Sequence, residues 1–319
     1  MIKKSIKTFL AAEPGWRLGA PLRRPGVVVL MYHRVTRPGE PFHGIGLDAF
    51  REQMRWLKAR CEPIAAEAFL DRVKSPSRRR PAVLVTFDDG YRDYHDNAYP
   101  ILQELGIPAA VFLATSFMGT QRMIWTDAVW DALRRSPRRE VSLPWSQERI
   151  HLEGEGARVR AERHVKRFLK EVADAERQRW QAALFERLGV DPEDGSLGRQ
   201  MLSWEEVRAT REGTAYGAHT HTHPILSQLE PPAADEEIRL SRDAIARELG
   251  TVPRLFAYPN GRAGDFNAET RASLRRHGFE LAFSTIEGIN GPDTDPFAIA
   301  RQPTGGATIA DFAWLVAGH

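Results

Sequence analysis

The sequence feature that most constrains the fold is an alternation between short apolar runs and longer segments with helical periodicity. Buried strands of a parallel sheet are predicted at residues 26–31, 83–87 and 109–114, where the chain is almost wholly apolar. Later strands are predicted at residues 214–218, 255–258 and 281–284. Helices are predicted at residues 47–60, 98–105, 204–210, 233–249 and 269–277. Such alternation is typical of β-α units around a parallel sheet or barrel.

One stretch, at about residues 119–200, breaks the alternation. It is rich in Arg, Glu, Ala and Trp, and its helical pattern has no strand-like partner. We therefore predict β-α units around a parallel sheet or barrel at residues 25–319, with this stretch as a helical insertion and a leader at residues 1–24. The charged residues of the insertion are interpreted as a solvated face. Its tryptophans are interpreted as structural, with a sugar-binding rim as the alternative for Trp125, Trp130 and Trp145.

Composition excludes several functional classes. A formal charge of +3 is small for 319 residues and gives no indication of a nucleic-acid partner. No apolar run reaches the length of about 18 residues that a transmembrane helix needs. The N-terminal residues predict a solvated leader helix, with contact to a membrane surface as the alternative. Because the apolar stretch ending at Ala12 is too short for a signal peptide, and the single Cys61 forms no internal disulfide, we expect a cytoplasmic protein, with a periplasmic or membrane-peripheral protein as the alternative.

Two adjacent carboxylates follow the strand predicted at residues 83–87. Asp88 and Asp89 lie in the sequence VLVTFDDGY, at the strand end where parallel α/β folds form their sites. Neighbouring carboxylates repel each other at a buried strand end unless a cation or hydrogen bonds compensate. The alternative is a turn in which one aspartate caps the next helix and Gly90 takes a left-handed conformation.

Three histidines follow the strand predicted at residues 214–218, in the sequence GAHTHTHP. Two histidines four residues apart can converge on one cation from a helix or from a loop. Pro224 disfavours the α region at His223, so we predict that His219 and His223 lie on a loop. His221 is either turned away or a substitute ligand.

One carboxylate and two imidazoles form a set of three protein ligands that leaves positions open for water and substrate. These mixed oxygen and nitrogen donors favour Zn²⁺, with Co²⁺, Ni²⁺ or Fe²⁺ as alternatives, over magnesium or calcium. The second aspartate is then free to act as a base toward a water that attacks an acyl carbonyl. The two clusters together predict a metal-dependent hydrolase.

The sequences TFDDGY and HTHTHP resemble the first two motifs of the polysaccharide deacetylase family, whose catalytic domain is known as NodB homology. LMYHRV at residues 30–35 and FAYPNGRAGDF at residues 256–266 also resemble family elements, the latter the third motif. The resemblance covers most of the chain outside the insertion. It implies an α/β fold, a distorted (β/α) barrel of the NodB-homology type with a helical insertion. It also implies a carbohydrate deacetylase that acts on an N-acetylated glycan or glycolipid precursor.

The resemblance also implies roles for individual residues. It makes Asp88 the general base, and it makes Asp89, His219 and His223 the metal ligands. His33 would face the same site, with a simple hydrogen-bonding role as the alternative. The wall of the site would include the third-motif residues Tyr258, Pro259, Asn260 and Gly261.

The chain departs from the family pattern at two places. Ala257 stands where many members have an arginine that holds the catalytic aspartate, and Arg262 or Arg301 is a candidate to replace it. Arg301 is otherwise interpreted as a substrate-binding residue, with a surface salt bridge as the alternative. The family's last motif, which supplies a histidine as general acid, is not identifiable, and neither His277 nor His319 has a suitable context. We therefore assign the acid to His33.

The function predicted from these residues is removal of N-acetyl groups from amino sugars of a cell-surface glycan or its precursor. One alternative is a catalytically silent glycan-binding module, against which the intact Asp88 argues. Another is an amidohydrolase of a small non-sugar amide in the same barrel. A narrow closed pocket would favour the small amide, and an open groove would favour a polymer.

Overall fold

A computed structural model of the protein describes residues 2–304 and 308–318. His319, one of the histidines considered for the general acid, lies outside the described residues. The strands are β1 (Val27–Tyr32), β2 (Val35–Thr36), β3 (Ile45–Gly46), β4 (Glu62–Pro63), β5 (Ala82–Phe87), β6 (Ala109–Leu113), β7 (Glu140–Ser142), β8 (Arg149–His151), β9 (Thr214–Ala218), β10 (Leu255–Ala257), β11 (Leu281–Phe283) and β12 (Gln302–Pro303).

Helices alternate with the strands along the chain. They are α1 (Ile2–Ala11), α2 (Glu13–Leu18), α3 (Leu47–Arg60), α4 (Phe69–Lys74), α5 (Tyr99–Leu105), α6 (Trp125–Arg135), α7 (Glu155–Glu171), α8 (Asp174–Leu188), α9 (Trp204–Ala209), α10 (Pro231–Leu249), α11 (Ala268–Arg276) and α12 (Ile309–Val316). α3 and β9 have the predicted bounds, and the other predicted elements agree to within two residues. α9 begins with a capping box at Ser203 and Glu206.

The main sheet is parallel and curls into a distorted barrel, which confirms the predicted fold class. Its strands are paired in the order β11, β10, β9, β6, β5, β1 and β12, and β4 pairs with β5. The seam is closed by the chain that leads into β12. Ile299 accepts a hydrogen bond of 2.9 Å from the amide of Ser284, just after β11, while β12 pairs with β1. The final strand segment therefore joins the two edges of the sheet.

Alternate residues of each strand pack on opposite faces of this barrel. Val27 and Val29 of β1 belong to one apolar cluster with Phe112 and Ile299, which fills the interior. Val28 and its counterparts on the other strands belong to a second, larger cluster under the helices. Because both faces are buried, the strands need apolar side chains at successive positions, which explains the uninterrupted runs in the sequence.

The N-terminal helices pack on the barrel. α1 contacts α12, Leu10 is fully buried, and the indole of Trp16 donates a hydrogen bond of 3.1 Å to the carbonyl of Arg60. The N-terminal segment is therefore not a free solvated helix, because Leu10 and Trp16 pack into the domain, although Phe9 and Leu18 stay exposed. None of the described helices combines the length and apolar composition needed to cross a membrane.

The segment between β6 and α9 contains α6, α7, α8 and the antiparallel hairpin of β7 and β8. The hairpin was not predicted, because strands of three residues leave little periodic signal within a mainly helical pattern. Trp125 is buried, and Trp145 stacks on Phe168 with ring centroids 4.3 Å apart. The structural interpretation holds for these two tryptophans, whereas Trp130 lies at the cavity described below.

Candidate active site

Three buried side chains meet at the carboxyl ends of β5 and β9. Asp89 follows β5, and His219 and His223 follow β9, with β6 pairing between the two strands. The Nε2 atoms of both histidines lie 3.2 Å from Oδ1 of Asp89. One potential ligand atom from each residue lies within 4.8 Å of the others. We refer to Asp89, His219 and His223 as the triad.

The backbone around the triad takes left-handed conformations that glycine normally favours. Asp89 has φ of 74°, Thr220 of 63° and His223 of 61°. Such conformations cost free energy in residues other than glycine, and they persist only where the surroundings enforce them. The hydroxyl of Thr220 accepts a hydrogen bond of 3.0 Å from the amide of His223, which is one such constraint.

The two histidines lie on a loop, as predicted, and their rings are oriented for ligation. Nδ1 of His219 donates to the carbonyl of Ala257 at 2.7 Å, which leaves Nε2 directed toward Asp89. Nδ1 of His223 is buried and has no hydrogen-bond partner among the described residues. His221 is turned away and contacts Thr115 through Nδ1 at 2.9 Å. His219 and His223 are therefore the histidines available to a metal.

The triad combines one carboxylate with two imidazoles. Burial alone would raise the pKa of Asp89, but hydrogen bonds from His219 and His223 hold it well below its ordinary value. Burial lowers the pKa of His223. Burial would also lower the pKa of His219, but its hydrogen bond to Asp89 and the charges of Asp88 and Asp89 raise it overall. An ionised carboxylate beside imidazoles with nitrogen lone pairs is the donor set that zinc and similar cations prefer. The residues present therefore fit a divalent metal.

Asp88 is held by Arg301 and not by the triad. Two hydrogen bonds of 2.7 Å join the guanidinium to both carboxylate oxygens, and Nε of Arg301 donates to the carbonyl of Ser284 at 2.6 Å. Burial would raise the pKa of Asp88, but the positive charge of Arg301 lowers it overall. Neither aspartate caps a helix among the described elements, although Gly90 is left-handed.

The position of Arg301 corrects one prediction and decides between two others. Its side chain is 0% exposed, so the predicted substrate contact and the alternative surface salt bridge are both wrong. Of the two arginines proposed to replace the one missing at Ala257, Arg301 contacts Asp88, whereas Arg262 has an exposed position beside the cavity. The seam of the barrel brings Arg301 to this place.

His33 lies on the open side of Asp88. Its Nε2 atom is 3.9 Å from Oδ2 of Asp88, and its side chain is 48% exposed. This position, just past the end of β1, allows His33 to reach both the base and a molecule in the cavity. His277, in contrast, lies beside Asp235 at 3.2 Å, away from the cavity.

The third-motif residues take different positions from those predicted. The ring of Tyr258 is buried and stacks on Phe266 at 4.0 Å, and its hydroxyl donates to the carbonyl of Phe297. Tyr258 is therefore a core residue, and its predicted place in the wall of the site is wrong. Asn260 does line the cavity, whereas Pro259 and Gly261 are buried and do not.

The triad, Asp88 and His33 lie at the floor of a cavity of about 450 Å³. Several wall residues were not predicted. Arg34 is buried between the rings of Phe42 and Tyr91, with its guanidinium carbon 4.0 and 3.7 Å from their centroids. Arg34 also forms an ion pair of 3.0 Å with Asp127. Its position directly after His33 in LMYHRV was the available signal.

The insertion supplies the opposite wall. Trp130 of α6 and three charged residues of α7 line the cavity, namely Glu162, Lys166 and Lys170. A second cavity of about 730 Å³ adjoins the first and shares lining residues with it, among them Lys166, Lys170, Asn260 and Arg262; we call the two cavities together the groove. The sequence signal for these residues is the recurrence of basic side chains at helical spacing in α7. From the sequence alone these charges are interpreted as a solvated face.

Comparison with known proteins identifies a family that matches this chain. The polysaccharide deacetylase family model matches residues 75–145 and 165–282, more than half of the chain. YxkH of Bacillus subtilis, which is named as a deacetylase of this type, is 34% identical over 95 residues, 28% of this chain and 33% of that protein. The poly-beta-1,6-N-acetyl-D-glucosamine N-deacetylase of Staphylococcus epidermidis is 32% identical over 72 residues, 22% of this chain and 25% of its own length. The matched segments thus span a third or less of these curated relatives.

Solved structures show the same fold over nearly the whole chain. The deacetylase PplD of Streptococcus pyogenes, solved in complex with acetate, has a TM-score of 0.60 and 17% identity, covering 92% of this chain and 99% of that one. IcaB from Ammonifex degensii has a TM-score of 0.59 and 20% identity, with 92% and 98% covered. At these identities the likeness concerns the fold alone.

Proposed function

Because this chain belongs to the polysaccharide deacetylase family, we propose that it is a metal-dependent hydrolase that removes N-acetyl groups from amino sugars of a cell-surface glycan or its precursor. The observation that carries the proposal is that two groups of residues, the triad and the Arg301–Asp88 pair, lie together at the floor of one groove. The triad offers a metal its ligands, and Arg301 keeps Asp88 ionised a short distance away. The cytoplasmic location stays a prediction.

The metal proposed for the triad is Zn²⁺, with Co²⁺, Ni²⁺ and Fe²⁺ as alternatives. When bound, it polarises the acyl carbonyl and makes water a stronger nucleophile at neutral pH. Asp89, His219 and His223 would hold it, with the ring of His219 fixed by the carbonyl of Ala257.

Asp88 acts as the general base in this proposal. It accepts a proton from the attacking water as the new bond to the acyl carbon forms. Arg301 favours the ionised form of Asp88 and fixes its orientation through two hydrogen bonds, so that the carboxylate is ready to accept this proton. A catalytically silent module would have no need for such an arrangement.

His33 is the proposed general acid. Its exposed ring lies on the cavity side of Asp88 and can donate a proton to the nitrogen as the C–N bond breaks. The products are acetate and a free amine. The open groove that continues beyond the cavity favours a substrate larger than a small amide, which makes the non-sugar amidohydrolase the weaker candidate.

The test is acetate release from N-acetylglucosamine oligomers by metal-loaded protein, compared with a chelated sample and with Asp88→Asn. We expect chelation to abolish release and Asp88→Asn to lower kcat by about 10²- to 10⁴-fold, the usual contribution of a positioned base. Asp293→Asn, an exposed aspartate outside the groove, is the matched control. Full activity of Asp88→Asn, or of the chelated enzyme, would contradict the proposal.

A further inference from the structure

One face of α7 is almost wholly cationic. Arg163, Lys166, Arg167 and Lys170 follow one another at spacings of three, one and three residues, which places them on the same side of a helix. The apolar residues Val165 and Leu169 of the same helix are buried. All four cations line the groove, and we call them the α7 basic face.

Most of these charges have no carboxylate partner. Lys166 contacts Glu162 at 2.6 Å, but Arg163, Arg167 and Lys170 form no ion pair with any described residue, and neither does Arg262 across the groove. Elsewhere the described arginines are commonly paired, as Arg134 is with Glu155 and Glu162. An excess of unpaired cations in a concave surface is therefore a local feature of this groove.

The carboxylates that line the larger cavity, of about 730 Å³, do not remove this excess. Glu162 is shared between Lys166 and Arg134, and Asp265 accepts a hydrogen bond from the backbone amide of Arg262. Glu171 is exposed at the end of α7. Five cationic side chains face three carboxylates here, because Arg262 adds to the α7 basic face.

The crowding of positive charges affects the pKa of Lys170. Burial lowers its pKa, and repulsion from Arg262 and Lys166 lowers it further. A bound anion would relieve both effects, because it would pair with the ammonium group and screen it from its neighbours. Lys170 also lines the cavity that contains the triad, so an anion bound here would lie beside the reacting acyl group.

We propose that the substrate is an N-acylated sugar that also carries an anionic group, a phosphate or a carboxylate, which the α7 basic face and Arg262 bind while the acyl group lies at the triad. Guanidinium groups suit both kinds of anion, because their paired N–H donors match two oxygens. This inference rests on the proposed function, and it specifies the substrate class for the same site.

Binding and hydrolysis are measured separately to test it. Titration calorimetry with the Asp88→Asn protein compares UDP-N-acetylglucosamine as the phosphate probe, a hyaluronan hexasaccharide as the carboxylate probe and chitohexaose as the neutral probe. We expect at least one anionic probe to bind about tenfold or more tightly than chitohexaose, with an advantage that shrinks at high salt. The preferred probe identifies the source of the anion.

Variants locate the effect on the helix. Arg163→Gln combined with Arg167→Gln should weaken binding of the preferred anionic probe about fivefold, as expected for two exposed charge contacts, and should leave chitohexaose unchanged. Arg160→Gln is the matched control, since Arg160 is an exposed arginine of α7 that does not line the groove. All three arginines are exposed, and thermal unfolding checks that each variant is folded.

The outcomes separate this inference from the proposed function. Equal binding of all three probes, or an equal loss with Arg160→Gln, would overturn the anionic substrate. The metal-loaded protein could bind an anionic probe tightly through Arg163 and Arg167 and yet release no acetate from any probe. That result would contradict the deacetylase proposal and support the anion site. Acetate release from chitohexaose alone would support the deacetylase and overturn the anion site.

Discussion

The two walls of the active-site groove are built in different ways. The barrel wall presents Asp88, Asp89, His219 and His223 from strand ends, and each is buried and fixed by a short hydrogen bond or a close ion pair. The insertion wall presents the long basic side chains of α7, which are partly or fully exposed and mostly unpaired. We infer that the barrel wall performs the chemistry and that the insertion wall selects the substrate.

The barrel wall is therefore the rigid part of the site, and the insertion wall is the part that can adapt to a ligand. A metal and a base must be held within a fraction of an ångström, which needs buried groups on regular elements. Long cationic side chains tolerate several positions of an anion, and their contacts are screened by water. Substitutions in the two walls should therefore have effects of different size and kind.

The largest effect is expected from loss of a metal ligand. His223→Ala should lower acetate release by more than about a hundredfold, the upper range for loss of a residue that only supports a ligand. Metal content, measured on the purified protein, should fall in parallel. His221→Ala is the matched control, because His221 points away from the triad and contacts Thr115. Equal metal loss in both variants would break the assignment of the triad.

The second effect concerns Arg301. Arg301→Gln leaves the buried Asp88 without a cation, so we expect the free energy of unfolding to fall by about 3–5 kcal/mol at neutral pH. Arg301 lowers the folded pKa of Asp88 below its ordinary value of 3.8, so the stabilisation is present above that value and is lost as pH falls through the lower folded pKa.

Denaturant unfolding across a pH series measures this loss. The gap between wild type and Arg301→Gln should narrow in acid, because a protonated Asp88 no longer needs the guanidinium. Arg301→Lys keeps the charge but not the two parallel hydrogen bonds. Compared with Arg301→Gln, it should therefore restore most of the free energy of unfolding but less of kcat. A gap that stays constant at every pH would show that Arg301 acts through packing and not through charge.

A smaller effect is expected on the insertion wall. Lys170→Met should raise KM about three- to tenfold with little change in kcat, the pattern of a contact made equally in the ground state and the transition state. Steady-state kinetics on the preferred glycan measure this split. A fall in kcat comparable to that of Asp88→Asn would show that Lys170 takes part in the chemical step. It would contradict the inference that the barrel wall alone performs the chemistry.

The smallest effect on activity is expected inside the insertion. Trp145→Ala removes the stack on Phe168 and should lower the free energy of unfolding by about 1–2 kcal/mol. Metal affinity should not change, because neither ring reaches the triad. A double-mutant cycle with Phe168→Ala isolates the pair. A change in metal affinity would show that the insertion also supports the metal site.

The residues at strand ends were predictable from the sequence, and the physical reason is local. Asp89 lies two positions after an apolar run, and His219 directly follows a strand whose bounds were predicted. Both could therefore be placed at the carboxyl edge of the sheet without knowledge of the tertiary structure. Pro224 then limited the conformation of His223 to a loop, although the left-handed φ of 61° was not anticipated.

Other features depend on long-range packing or on a shift of one position. Arg301 reaches Asp88 because residues near β12 close the sheet between β1 and β11, which no local pattern in AIARQPT reveals. Tyr258 was misplaced because neighbouring strand positions face opposite sides: Ala257 packs inside the barrel, and Tyr258 packs under the helices. The α7 basic face has a clear helical period, but the period alone does not say what lies opposite.

The place of Arg301 on the seam links closure of the barrel to the proposed base. A chain truncated before Arg301 would retain every member of the triad and would leave Asp88 buried without its cation. A buried carboxylate in that position takes up a proton, since burial favours its neutral form. Such a fragment would hold metal and remain inert, so metal content alone is a poor indicator of intact enzyme.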